Sequence, residues 1–417
     1  MNPASRVACR WLAAIIAAAI ALRCGAALWW QARLTGGKQF YFADSESYWV
    51  LARELAAGRP YQFGSPDARA FRMPGYPLLL AGLFKLYSGE PPVLAARMVG
   101  ALLGGIAVLF VYLLARQAMD APSALFAAGA AAVYPGSIVT SVAVLSEALF
   151  CPLAVAQLAV WAQSWQAGRG AQSWLLALAA GLLAGAAALV RPEWLMFPAF
   201  ALPALAWHWR SHRLGKCATL IAGIILAMAP WWVRNYLAVG KFVPTTLQLG
   251  ASLYDGLNPR ATGASDMRFV AEWEACERRR DRLSQEPFEV RLDRSLRNAA
   301  LSWAWQHPQR VAELAAAKCW RMWRPLPDVP TAGARWARWG FAGGYLLLLL
   351  LAVLGSWCGR RQAWLVRACW LPAAYLTLLH LVFVSSVRYR EPAMLVLAVL
   401  AGFVWQWRRG GATACAG

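Results

Sequence analysis

Charged side chains are scarce in this chain of 417 residues: 15% of the total, where a soluble domain carries about 25%. Acids are the scarcer sign, 20 Asp+Glu against 41 Lys+Arg, for a net charge of +21. There is no P-loop, no GxGxxG and no zinc motif, so no nucleotide site is visible. The nine cysteines are scattered without a CxxC pair, which excludes a disulfide-stapled secreted domain. No internal repeat is found, and no low-complexity tract beyond alanine-rich stretches. What is abundant is apolar: 60% of the residues, more than a globular core of this size hides from water. A disordered chain and an ordinary cytosolic enzyme are therefore excluded. The excess of basic residues then points to the cytoplasmic ends of membrane helices, not to nucleic acid.

A spanning helix needs about 20 mostly apolar residues. Ten segments qualify, near 10–30, 92–116, 121–136, 143–165, 172–190, 194–209, 216–236, 338–357, 366–386 and 391–407. Tyr76 to Leu86 is apolar but too short, and is expected to lie in the interface or re-enter. With the N-terminus in the cytoplasm, Arg6, Arg10, Arg116, Arg169, Arg210, Arg213, Lys216, Arg360, Arg361, Arg367, Arg408 and Arg409 all fall on the inner side. Asp120 is the only acid there. A cleaved signal peptide is the competing view of the N-terminus. No small-residue cleavage site follows the apolar run, and apolar character resumes after Arg23, which favours an uncleaved first helix. The fold expected is an all-α polytopic membrane protein of about 10–11 transmembrane helices. It divides into a bundle over 1–236 with an outer first loop at 31–91, an external, mostly helical loop at 237–337, and C-terminal helices over 338–417.

The acids carry the most information. Eleven of the twenty fall in 237–337, and Asp44, Glu46, Glu54, Asp67 and, at its end, Glu90 fall in the first loop. Of the remaining four, Glu147, Glu193 and Glu391 all stand at outer ends of helices. An ionisable residue at membrane depth is costly and is a functional candidate by default. Asp44 precedes a helix expected over Tyr48–Ala57 and ended by Gly58; Asp44 or Ser45 suits its N-cap, and Asp44 equally suits a base at the mouth of the bundle. Glu147 is flanked by apolar residues on both sides and needs protein or water around it. Arg72, Arg191, Arg234, Arg388 and Arg390 lie at one depth on the outer face, against the positive-inside bias. Guanidinium groups are suited to a phosphate, and ordinary snorkelling is the alternative for Arg72. Arg191 and Glu193 also suit a simple pair. In the external loop, Glu272–Arg297 reads as polar helix and Pro308–Arg324 as an amphipathic helix ending in Trp320 and Trp323. Cys276 and Cys319 share that loop, so an oxidising face permits a disulfide. His208 and His212 stand four apart beside a basic inner loop, a spacing open to a metal, and read as a solvated helix end.

Taken in order, these segments resemble the GT-C superfamily of membrane glycosyltransferases. The likeness is to bacterial proteins similar to dolichyl-phosphate-mannose protein mannosyltransferases and to the lipid A aminoarabinose transferase. It rests on Asp44 before Tyr48, Arg72-Met-Pro-Gly-Tyr-Pro77, Tyr134-Pro135, Ser146-Glu147, Arg191-Pro-Glu193, Pro230-Trp-Trp-Val-Arg-Asn-Tyr236, Asn258-Pro259 with Gly263, His307-Pro308 and Arg388-Tyr-Arg-Glu-Pro392. The resemblance implies transfer of a sugar, with inversion, from a polyprenyl-phosphate donor to a lipid, glycan or protein acceptor at the outer face of a bacterial inner membrane. By resemblance Asp44 is the first-loop catalytic acid, Glu147 a second acid, and Arg72 a basic residue near the donor phosphate. Glu46, Tyr48, Tyr76, Arg191, Glu193, Arg234, Asn235 and Arg388 complete the expected substrate site. The first loop reads Asp44-Ser-Glu46 where relatives carry paired aspartates, so a divalent cation stays open although no metal-ligand set is seen. A transporter of lipid-linked sugars and a ligase using a lipid-diphosphate donor are the rival functions.

Overall fold

The computed structural model describes residues 3–34, 39–87, 89–168, 170–206, 213–280, 286–326 and 335–414. Arg169, Arg210, His208 and His212 lie outside them. Eighteen α-helices and no strand occur among the described residues. They are α1 (Pro3–Gln31), α2 (Ala43–Ala56), α3 (Gly75–Leu86), α4 (Val93–Ala115), α5 (Ala121–Val133), α6 (Pro135–Val142), α7 (Glu147–Gln166), α8 (Ala171–Val190), α9 (Phe197–Ala206) and α10 (Arg213–Val239). The long loop holds α11 (Leu249–Gly256), α12 (Phe269–Arg280), α13 (Phe288–Gln306) and α14 (Pro308–Trp323). The chain then continues through α15 (Arg335–Cys358), α16 (Ala363–Val382), α17 (Glu391–Leu397) and α18 (Ala401–Ala414).

The all-α polytopic membrane class holds, and the count of 10–11 spans is corrected. Among the described residues seven helices are long and apolar enough to cross a membrane: α1, α4, α7, α8, α10, α15 and α16. The other three expected spans are interrupted. The stretch 121–136 bends by 56° between α5 and α6, because Pro135 has no N–H to continue the ladder. Counted as one broken span, this pair makes eight. The 194–209 stretch opens as a 3-10 turn, Pro192–Met196, before the ten residues of α9. The 391–407 stretch breaks into α17, a 3-10 turn and α18.

Lipid offers no hydrophobic drive between spans, so they associate by close packing of small residues. On α8, Gly181 and Gly185 face α10. A Cβ at Gly181 would stand 2.1 Å from the Leu220 carbonyl oxygen, and one at Gly185 2.5 Å from Ala227 Cβ. Gly223 answers from the other side, its Cβ position 2.5 Å from the Leu178 oxygen. Backbone lies on both sides, so a methyl has nowhere to go. Gly181→Ala is expected to cost about 1–3 kcal/mol by overpacking, read as a lower melting temperature in detergent with the same helical content.

Two buried arginines hold the broken span. Arg23, fully buried on α1, donates to Ala132 O at 3.0 Å, Ser137 Oγ at 2.9 Å and Ser141 Oγ at 3.3 Å. Backbone carbonyls freed at membrane depth need such partners. Arg97 on α4 donates to Val142 O at 2.5 Å and to Gln31 Oε1 at 3.1 Å. Two residues on, Val144 has φ 55°, a strained setting for a β-branched side chain. The Arg97 bond, with Ser45 Oγ donating to Ala143 O at 3.4 Å, holds this turn. It delivers Glu147 to the buried start of α7.

Candidate active site

The expected helix after Asp44 forms as α2, but Asp44 is not its cap. Phe42 is the N-cap and no side chain caps it. The Asp44 carboxylate turns away from the helix to meet two arginines. Arg72 Nη2 lies 2.8 Å from Oδ1 and Arg388 Nη2 lies 2.8 Å from Oδ2. Arg72 reaches this place because α3 starts hard against the end of α8: a Cβ at Gly75 would stand 2.8 Å from Leu189 O. The Tyr48 ring lies under the Arg72 guanidinium at 5.2 Å, and Tyr76 meets Tyr48 edge-on at 5.3 Å. Tyr61 Oη donates to the Arg72 carbonyl at 3.1 Å.

The chain of charges continues inward. Arg388 Nε lies 2.9 Å from Glu147 Oε1, and Arg191 Nη1 approaches the same oxygen to 2.6 Å. Arg191 then holds Glu193 in a fork, Nε to Oε1 at 2.7 Å and Nη2 to Oε2 at 3.3 Å. His380 closes the line, Nε2 3.9 Å from Glu193 Oε2. Its Nδ1 stands 2.7 Å from the Val384 carbonyl; a carbonyl only accepts, so Nδ1 carries a proton. Tyr389 stacks on His380 at 4.4 Å and lies beneath both Arg191 and Arg388. Three guanidinium groups thus alternate with three carboxylates. Solvent enters from one side: the Asp44 side chain is 33% exposed and Glu147 1%.

Burial alone would raise the Asp44 carboxyl, but Arg72 and Arg388 outweigh it and hold Asp44 well below the usual carboxylate range. Burial likewise pulls Arg388 down, and Glu147, Tyr389 and Asp44 more than reverse it. All three acids are ionic partners of arginine and not a carboxylate cluster. No group of three or more metal-type side chains stands together among the described residues. Each carboxylate is held at 2.6–2.9 Å by a guanidinium, which takes the place a divalent cation would need. The residues do not fit a divalent cation.

The expected site residues divide. Asp44, Glu147, Arg72, Arg191, Glu193 and Arg388 join in one network, with Tyr48 and Tyr76 packed behind Arg72. Glu46 is exposed on α2. Arg234 and Asn235 stand apart from the network: Arg234 donates to Arg69 O at 2.6 Å and Tyr61 O at 2.9 Å, bracing the loop that leads to Arg72. Asn235 is fully buried beside it, accepting from Arg234 at 3.0 Å. Arg191 and Glu193 do pair, but Arg191 also serves Glu147. Cys276 and Cys319 are both free, so the disulfide that their shared loop would permit is not formed. His380 and Tyr389 were not anticipated. With only four histidines in the chain, one at a helix end beside Arg388 was the available signal.

Residues 71–233 match the family model described as dolichyl-phosphate-mannose-protein mannosyltransferase. No curated protein matches closely enough to count as a relative. Among solved structures, the Archaeoglobus fulgidus oligosaccharyltransferase in the apo form aligns with 94% of this chain at 14% identity, TM-score 0.58. The oligosaccharyltransferase AglB from Archaeoglobus fulgidus, in complex with an inhibitory peptide and a dolichol-phosphate, gives 94%, 13% and 0.54. This chain spans half the length of that protein. ArnT from Cupriavidus metallidurans, bound to undecaprenyl phosphate, aligns over 94% of this chain and 77% of its own at 16% identity, with a looser TM-score of 0.47. The resemblance stated from the motifs therefore holds: by family model over α3 to α10, and by fold over nearly its whole length, the chain is similar to the GT-C membrane glycosyltransferases.

Proposed function

We propose that this protein is an inverting glycosyltransferase that takes its sugar from a polyprenyl-phosphate donor. The observation that carries the reading is Asp44, clasped at 2.8 Å by Arg72 and by Arg388 on the exposed side of the charge network. The match to the mannosyltransferase family model and the transferase fold support it. So does the basic bias of the opposite helix ends, which favours a position for Asp44 on the face away from the cytoplasm. Nucleotide sugars are not expected there, so an activated donor must arrive through lipid.

In this mechanism the acceptor hydroxyl attacks the anomeric carbon from the face opposite the phosphate. The new C–O bond forms as the bond to the phosphate oxygen breaks, and that electron pair leaves on the phosphate. The hydroxyl proton passes to Asp44. Arg72 and Arg388 stabilise the growing phosphate charge. Asp44, Glu147 and Glu193 balance Arg72, Arg191 and Arg388 charge for charge, so an incoming phosphate must compete with Asp44 for its two arginines. Donor binding then does two things at once. It neutralises the phosphate, and it loosens the clasp that keeps Asp44 a weak base. Glu147 keeps Arg388 and Arg191 in register behind it.

The test is purified protein in vesicles, supplied with a polyprenyl-phosphate sugar and membrane extract. Sugar on a lipid, glycan or protein acceptor supports the reading. A sugar-lipid that crosses the bilayer uncleaved makes the protein a transporter, and activity only with lipid diphosphates makes it a ligase. Guanidinium groups do the work of a cation here, so transfer is expected to be unchanged by EDTA. Loss of activity in EDTA, restored by a divalent ion, would overturn that role.

A further inference from the structure

Arg388 lies on a short turn between α16 and α17, and the residues that grip this turn belong to the external segment. Lys318, on α14, is fully buried. Its Nζ donates to Val382 O at 2.7 Å and Leu381 O at 3.2 Å, the last carbonyls of α16, and to Gly256 O at 2.9 Å, the end of α11. At the other end of the turn Arg390 is also fully buried and reaches back the opposite way. It donates to Met322 O at 3.0 Å and Arg324 O at 2.7 Å, at the end of α14. Its guanidinium lies 3.5 Å from the Tyr345 ring centroid. Between these anchors Ser385 N donates to Gly263 O at 2.9 Å, and one turn deeper Trp323 Nε1 donates to Thr377 Oγ1 at 3.0 Å. Two buried cations on backbone carbonyls are costly to bury and costly to break.

We propose that α14 sets the position of Arg388, with Lys318 and Arg390 as positioning residues, so that the external segment controls how the site holds the donor phosphate. This rests on the function proposed above. The lock is reciprocal: one cation runs from α14 to the start of the turn, the other from the end of the turn to α14. Seven residues, 383–389, lie between the two anchors. A displacement of α14 therefore moves the Arg388 turn as a unit, while Asp44, Arg72, Glu147 and Arg191 stand on other elements. An acceptor that moves the external segment would change the fit of Arg388 to the donor.

The test is a double-mutant cycle on the affinity of the full-length protein for a fluorescent polyprenyl phosphate. Lys318→Met is expected to weaken binding about tenfold in the wild-type background and by less than about twofold in the Arg388→Ala background. An equal loss in both backgrounds overturns the proposal, because Lys318 would then act without Arg388. If Lys318→Met does not fold, Thr377→Val is put through the same cycle; it removes the Trp323 acceptor at nearly constant volume, and the same non-additivity is required. If Arg388→Ala alone leaves binding and transfer unchanged, the assignment of the site itself fails and takes this proposal with it.

Discussion

Asp44→Asn is expected to abolish sugar transfer while the protein binds a polyprenyl phosphate at least as tightly as the wild type. Asparagine keeps the shape and one acceptor oxygen but cannot take the acceptor's proton. Loss of a general base typically costs about 10²–10⁴-fold in rate. The binding half follows from the clasp. In the wild type Asp44 occupies one nitrogen of Arg72 and one of Arg388, each at 2.8 Å. With the carboxylate gone, Arg72 loses its acidic partner and Arg388 keeps only Glu147, so the freed nitrogens turn readily to a phosphate. Binding and chemistry should therefore separate in one variant, with binding read by fluorescence and transfer by product formation. Parallel loss of both would mean that Asp44 serves only to hold the arginines in place.

Arg388→Lys is expected to be nearly as damaging as Arg388→Ala, with transfer reduced about 10²–10³-fold, the scale for removing one charge-stabilising donor. Arg388 spans two carboxylates at once, Nη2 on Asp44 and Nε on Glu147. A lysine is a single point donor and cannot bridge them. Arg72 touches only Asp44 among the acids, so Arg72→Lys should retain more activity than Arg388→Lys. Equal activities for the two lysine variants in the transfer assay would remove the bridging role from Arg388.

The scarcity of acids made the centre legible. Asp44, Glu147 and Glu193 could be picked out because few others lie near helix ends, and the arginines near them could be picked out because they sit at the helix ends opposite the basic clusters. Their pairings were not legible, since a one-dimensional order does not say that Arg388 reaches Asp44 across 344 positions. Arg234 and Asn235 look like site residues by depth, yet depth does not give direction; they brace the loop before Arg72. Arg390 stands out by depth but its hold on α14 does not, and Lys318 is hidden for the opposite reason. On a loop rich in basic residues, a fully buried lysine looks like any exposed one. The interrupted spans are half visible: Tyr134-Pro135 marks a break, but proline alone does not distinguish a kink within one span from an end.

Arg23 brings a timing problem during synthesis. It leaves the ribosome well ahead of its partner Ala132, which comes 109 residues later. At about 5–20 residues per second, α1 waits about 5–20 s with an arginine that has none of its later partners. During that wait the helix must snorkel its charge toward the surface or be sheltered by an insertion factor. Helix α1 can settle only when α5 and α6 arrive, so the end of the bundle that holds the proposed site is assembled late and all together.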